Sequence, residues 1–273
     1  YGGGKLDLSS HPNPNGISVY NKADDLTVGA DNIILPTGYS FYNDANQRIT
    51  LFKRYYHYTI YIIAEAKWGT SKDALTQSGT LEEAVAAIHE NHNIKYIQIQ
   101  KNVTTNLNSS LFGRGDFTLD LNDCTLTGSK SQVLEFWGSE VNVIITDNSE
   151  NKEGKVIGNN MSAIDVWDGA KVTIEDGYFE STNCEALNIY SSTVTINGGI
   201  FKGKGRVIWS TEGSLLITNG EFGGTDLIIP IDLDIRTNTT ITGGTFAQAT
   251  DGSTIRYSGG KLDLSLYPTT ETL

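Results

Sequence analysis

Between Lys171 and Phe246 one short phrase is written four times, and no other feature limits the possible folds of this chain as strongly. It reads VTIEDGYF (Val172 to Phe179), VTINGGIF (Val194 to Phe201), LLITNGEF (Leu215 to Phe222) and TTITGGTF (Thr239 to Phe246). The closing phenylalanines, Phe179, Phe201, Phe222 and Phe246, fall 22, 21 and 24 residues apart. A period of this length marks a solenoid, because one repeat cannot bury its apolar face alone and must stack on a copy of itself. Each phrase alternates like a strand, with Val172 and Ile174 on one side and Thr173 and Glu175 on the other. It then meets Asp-Gly, Asn-Gly or Gly-Gly, which turn a corner through positive φ without a Cβ clash. The next position varies (Tyr178, Ile200, Glu221, Thr245), whereas the one after it is always Phe. The phenylalanines are therefore expected to stack inside the coil, one ring per rung, at the strand spacing of about 4.8 Å.

A second strand lies between the phrases: VLEFW (Val133 to Trp137), AIDVW (Ala163 to Trp167), ALNIY (Ala186 to Tyr190), RVIWS (Arg206 to Ser210), DLDIR (Asp232 to Arg236) and STIRY (Ser253 to Tyr257). Two strands in a rung of this length, with neighbouring copies pairing in parallel, predict a parallel β-helix rather than a sandwich or propeller. Parallel crossovers within one sheet are almost always right-handed, so the expected coil is a right-handed parallel β-helix.

Composition agrees with an all-β chain large enough for a full core: 273 residues, 29 glycines, 13 tyrosines and one methionine. A net charge of −12 argues against a nucleic-acid partner, which calls for clustered Lys and Arg. No apolar run approaches the length that spans a bilayer. With neither an initiator Met nor a basic-apolar leader, the chain reads as a mature or excised piece. Cys124 and Cys184 are placed on rungs too far apart for a disulfide, so two free thiols are expected.

Residues 1–64 do not follow the rung pattern. Gly2-Gly3-Gly4, the turn-rich His11 to Gly16 and short strands such as ISVYN, LTVG and NIILP read as a small β module. Within it, Ile49 to Ala66 (ITLFKRYYHYTIYIIAEA) reads as a tyrosine-rich hairpin or strand. Its opening YGGGKLDLS (Tyr1 to Ser9) returns as YSGGKLDLS (Tyr257 to Ser265), 256 residues later, with Pro12 and Pro268 following. This predicts a tandem array, in which 1–64 caps a preceding solenoid, 65–256 form the β-helix and 257–273 begin the next copy of the module. The one convincing helix, near 80–91, has Thr80 as N-cap, Glu83 closing a capping box and Leu81, Ala84, Val85 and Ile88 on one face. It suits a lid over the coil's open end. Lys95 to Val103, Phe117 to Gly128, Val141 to Asp147 and Gly154 to Gly158 are earlier, looser rungs.

The helix leading into IQIQKNVTTN, the LDLNDCTLTG rung and the repeated ITxGxF phrase resemble the pectate-lyase-like β-helix superfamily, and more closely the repeat-built surface proteins of bacteria. The stretches GGKLDLS and LPTGYSFYN are similar to the module that follows the coil in such proteins. The resemblance covers most of the chain and implies a cell-surface or extracellular location. It does not fix an activity, because the superfamily includes lyases, hydrolases, tailspikes and adhesins.

Candidate site residues lie on the second strand. With Leu134/Phe136, Ile164/Val166, Leu187/Ile189 and Leu233/Ile235 inward, period-2 geometry sends Glu135 with Trp137, Asp165 with Trp167, Asn188 with Tyr190, and Asp234 with Arg236 outward on successive rungs. Trp209 is assigned to the same aromatic column. Exposed rings beside acids and an amide suit sugar rings, which need an apolar face to stack on and acceptors for their hydroxyls. Cover by a loop or by 1–64 would instead make the aromatics structural. Glu135 and Asp165, with Asp168 or Glu185 nearby, are the pair a glycoside hydrolase would use. Such acids are also common solubilising residues. A lyase would need acids beside a base, and Arg206, Arg236 and Arg256 have no compact acid cluster next to them. Asp147 to Glu153 offers oxygen ligands for Ca2+ without a spaced motif, and is read as a solvated loop. The four histidines are scattered, and no metal or cofactor is expected.

The resulting expectation is a noncatalytic bacterial surface solenoid that presents a side face to a glycan or a surface-protein partner. The alternative is a polysaccharide-acting lyase or hydrolase on that same face, and a purely structural stalk is the third reading.

Overall fold

The computed structural model describes residues 5–11, 16–27, 33–35, 39–44, 49, 51–62, 64–105, 115–128, 132–234 and 236–268. The Gly2-Gly3-Gly4 run, Pro12 to Asn15, parts of the LTVG, NIILP and LPTGYSFYN stretches, Ile235 and residues 269–273 lie outside them. The chain forms two compact units, 1–64 and 65–273.

The smaller unit contains β1 (Leu6–Asp7), β2 (Ser18–Tyr20), β3 (Leu26–Thr27), β4 (Ile33–Ile34), β5 (Tyr39–Tyr42), β6 (Leu51–Phe52) and β7 (His57–Ile62). Strand β1 runs parallel to β4, β7 lies antiparallel between β2 and β5, and β3 pairs with β6. The tyrosine-rich stretch is therefore not a hairpin: it breaks at Tyr55, whose φ is 66°, and its halves join different sheets. Val19, Ile33, Phe41, Phe52, Tyr58 and Ile60 form the core of this unit, where the Phe52 ring stacks on Tyr58 at 4.4 Å.

The larger unit starts with an antiparallel hairpin, β8 (Ala66–Gly69) and β9 (Leu75–Gly79), followed by α1 (Leu81–Glu90). The capping box closes on both sides: Glu83 N–H donates to Thr80 Oγ1 at 3.1 Å, and Thr80 N–H to Glu83 Oε2 at 2.8 Å. Leu81, Ala84, Val85 and Ile88 of α1 are buried in the core cluster that runs through the coil. The coil then proceeds through β10 (Tyr96–Ile99) and β11 (Val103–Thr105), β12 (Gly115–Asp120) and β13 (Thr125–Gly128), and β14 (Leu134–Trp137), β15 (Val141–Thr146) and β16 (Lys155–Gly158). Next come β17 (Ile164–Trp167), β18 (Lys171–Ile174) and β19 (Tyr178–Ser181), β20 (Leu187–Ile196) and β21 (Ile200–Lys204), and β22 (Ile208–Ile217) and β23 (Glu221–Thr225). Strands β24 (Ile231–Leu233), β25 (Thr237–Ile241), β26 (Thr245–Phe246), β27 (Ile255–Tyr257) and β28 (Gly260–Asp263) complete it.

Every pairing from β10 to β28 within this stack is parallel, and the architecture is a β-solenoid. A full rung has three strands, not two. Face A is built from β14, β17, the first halves of β20 and β22, then β24 and β27. Face B carries β10, β12, β15, β18, the second halves of β20 and β22, then β25 and β28. Face C stacks β11, β13, β16, β19, β21, β23 and β26. The third strand escaped the sequence reading because it is short and has one large inward residue. Beside Phe179 and Phe201, the second inward positions are Ser181 and Gly203, which give no apolar alternation.

The phenylalanine ladder forms on face C. Successive ring centroids from Phe179 to Phe246 are 5.0, 5.1 and 4.8 Å apart, with interplanar angles of 21°, 10° and 8°. Gly177 at the corner before it has φ 127°, and a Cβ there would meet the Phe179 ring. Both cysteines are free thiols.

Candidate functional site

Face A presents two outward columns. In the first, Trp137, Trp167, Tyr190 and then Thr211 stand in register on four successive rungs. Trp137 is 41% and Tyr190 39% exposed, with Trp167 half-buried between them and its ring 5.8 Å from that of Tyr190. The first three aromatics thus fall in one column. Trp209 does not join them: it pairs with Asn188 below and Asp232 above, two residues short of the aromatic position. The tryptophan is drawn back because Ile208 and Ser210 take the inward positions of β22, and its ring lies under the Arg206 guanidinium at 4.5 Å.

The second column reads Glu135, Asp165, Asn188, Trp209, Asp232 and Arg256. Asp232 occupies the place expected for Asp234. Ile231 and Leu233 are the inward pair of β24, so the register differs by two residues from the Leu233/Ile235 reading. Asp234 lies one residue past that strand, its N–H on the carbonyl of Ser210. Arg236 lies at the following corner, φ 67°, and pairs there with Glu212. Asp168 is likewise a corner residue, φ 53°, its N–H on the carbonyl of Tyr190.

Pointing outward does not leave this column exposed. Asp165 is only 2% and Asp232 1% exposed, because flanking side chains of the same and neighbouring rungs close over them. Around Asp165 stand Glu135, Gln132 and the buried Glu185; Ser162 Oγ donates to Glu185 Oε1 at 3.3 Å, and Asp165 Oδ1 has no hydrogen-bond partner. Desolvation, with the charges of Glu185 and Glu135 added, pushes Asp165 up to about 6; desolvation also raises Glu135. These two acids are register partners on adjacent strands, about 4.8 Å apart at the backbone.

Higher on the face the charge is balanced. Arg206 donates to Asp232 Oδ2 at 3.2 Å and stands 3.7 Å from Glu185 Oε2. Arg256 grips Asp232 through Nε, 2.8 Å from Oδ1, and through a second nitrogen on Oδ2. All three arginines therefore do have an acid beside them, contrary to the sequence reading: Arg206 and Arg256 share Asp232, and Arg236 pairs with Glu212. Arg206 and Arg256, with Lys204, Ile228 and Ile229, line a half-open cavity of about 310 Å³. Sequence patterning missed it because its wall joins one column to the loop that carries Ile228, across a gap no periodicity spans.

The Asp147 to Glu153 loop is internally bonded. Asp147 accepts from the N–H groups of Asp123, Ser149 and Gly154, and Lys152 Nζ donates to the Asp147 carbonyl at 2.6 Å. Among the described residues no group of three or more His, Cys, Asp or Glu is placed to hold a metal ion, and no helix is long and apolar enough to cross a membrane. No protein-family model matches the sequence, and comparison with curated proteins and with solved structures finds no significant match.

Proposed function

We propose that face A is a glycan-binding surface, and that the chain is a noncatalytic solenoid of the adhesin-like kind, displayed at a bacterial cell surface or secreted. One observation carries this reading: Trp137, Trp167 and Tyr190 stand in register with their outer rings about 40% exposed, beside a column of hydrogen-bonding side chains. Indole and phenol faces at the strand repeat suit successive pyranose rings, and Glu135 and Asn188 stand in the adjoining column to meet hydroxyls. The cavity edged by Arg206 and Arg256 continues the same face and suits a polar substituent of the bound chain. In this reading α1 is the lid of the first rung, since its apolar side enters the core there.

The test is a glycan-array screen on the purified chain, repeated with Trp137→Ala and Tyr190→Ala. Binding that falls by about fivefold or more in both variants supports the platform, as loss of a stacking aromatic in a wet site costs on the order of 1 kcal/mol or more. Unchanged binding in both refutes it.

A second reading rests on a separate observation, the neighbouring acids Glu135 and Asp165, both pushed up, one of them buried with a free oxygen. In a polysaccharide hydrolase the protonated partner would act as the acid. Release of reducing ends from any polysaccharide in the same screen, abolished by Asp165→Asn, would replace the binding reading with this one.

A further inference from the structure

The half-open cavity on face A is cationic in a chain whose net charge is −12. Lys204, Arg206 and Arg256 line it against Glu185 and Asp232, three positive charges to two negative. Asp234 also acts on Arg256 but does not line the cavity. Both lining acids are buried, and both arginines reach outward past them. The carboxylates therefore hold the guanidiniums in place, and an incoming group meets the cations first.

The cations are not equally engaged. Arg206 is used up on three sides, by Asp232, Glu185 and the Trp209 ring. Arg256 spends Nε and one terminal nitrogen on Asp232, and its other terminal nitrogen has no partner among the described residues. Lys204 is exposed, and its ammonium forms no ion pair or hydrogen bond among those residues. Two cationic donors are thus open in one cavity.

Another part of the lining is apolar and fixed. Ile228 is 71% exposed, yet it does not sit on a loose loop. Its N–H and that of Ile229 both donate to the Gly205 carbonyl, at 2.8 and 3.0 Å, and the next carbonyl, that of Pro230, accepts from Val207 and Ile208 at 2.8 and 3.1 Å. A pinned aliphatic side chain in water beside unpaired cations suits a ligand that is both apolar and anionic. A volume of about 310 Å³ limits it to a small group.

We propose that this cavity binds the carboxylate of a short aliphatic acid, either a free small molecule or the last residue of a peptide. The charge lies between Lys204 and the open edge of Arg256, and the stem lies on Ile228 and Ile229. The stem separates this ligand from a polar substituent of a sugar chain. The inference is independent of what stacks on Trp137, Trp167 and Tyr190.

Cys184 lines the same cavity and is half-buried, whereas Cys124 lies buried elsewhere in the coil with its thiol pushed up to about 11. Labelling of Cys184 by N-ethylmaleimide on the full chain, read by peptide mass spectrometry with Cys124 as the reference, therefore reports occupancy. Saturating 4-methylpentanoate should slow that labelling by about tenfold. The amide of the same acid lacks the charge and acetate lacks the stem, so each should need about tenfold more for equal protection. Lys204→Met and Ile228→Asp change exposed side chains and should each weaken protection by about threefold or more. N-acetyl-glycyl-leucine and its amide form the second arm: whichever acid protects at the lower concentration identifies the source. Protection by neither acid, equal protection by acid and amide, or protection that either variant leaves unchanged overturns the proposal. The ligand series keeps the test decisive should a variant fail to fold.

Discussion

Burial lifts Asp165 to about 6 from an ordinary 3.8, so between those values the native chain holds a proton that the unfolded chain has released. The sign follows from linkage: this group's contribution is fully present below pH 3.8 and is lost as pH rises through 6. Its full size is at most about 3 kcal/mol, since each tenfold change in proton affinity is worth about 1.4 kcal/mol. The carboxylates that are held low by hydrogen bonds, Asp7, Asp123, Asp251 and Asp263, act below this window and do not mask it. Melting temperature should therefore fall between about pH 4 and about pH 7, and Asp165→Asn should flatten that slope and raise the value at the upper end. A slope that survives the substitution would place its source elsewhere. Asp232 makes the opposite case, a buried carboxylate held by two cations that water still reaches, with side chains 33% and 54% exposed. Taking away Arg206 and Arg256 together leaves a charge stranded and should cost about 3–5 kcal/mol, the scale of a broken buried pair. Asp232→Asn frees two guanidiniums into solvent and should cost about 1 kcal/mol or less, as exposed pairs do. Urea midpoints of the two variants measure the asymmetry.

The ladder on face C is an element in its own right, since no one of its rings is covered without the rungs above and below. Phe201 has a parallel neighbour on each side and is fully buried, so Phe201→Ala should cost about 3–5 kcal/mol. Phe246 meets only Phe222 in parallel and a tilted Tyr267, and the same change there should cost clearly less; equal losses would mean that the rings act singly. Such elements were legible in the sequence for a physical reason. A ladder needs the same residue at the same place in every turn, and a capping box needs Thr80 and Glu83 at a fixed spacing, so both leave a local signature. The aromatic column was legible as far as Tyr190, where β14, β17 and β20 repeat without insertion. It failed at Trp209 and at Asp234/Arg236, because a two-residue slip leaves period-2 alternation intact and only the neighbouring rung fixes the register. The burial of Asp165 was illegible too: being outward is a property of one strand, whereas being covered depends on Gln132, Ser162 and Glu185 from the sides and from the next turn.

At the scale of the whole molecule the chain carries two separate apolar cores, one in residues 1–64 and one running through 65–273. They differ in kind. Among the described residues the small core rests on six buried side chains from short parallel and antiparallel pairs, in which Phe52 is central, touching Phe41 at 4.8 Å and Tyr58 at 4.4 Å. The large one is a stack in which each rung is buried by its neighbours, so its cooperativity spreads along the coil. Stability scales with the surface that folding buries, and a unit of 64 residues buries a smaller fraction of its surface than one of 209 (273 − 64). Thermal unfolding should accordingly show two transitions, the first from 1–64. Phe52→Ala should lower that first transition by the equivalent of about 3–5 kcal/mol and leave the second where it was. Differential scanning calorimetry distinguishes this from a single cooperative melt, in which Phe52→Ala would shift the whole curve. That second outcome would mean that the small module holds the coil together as well as itself.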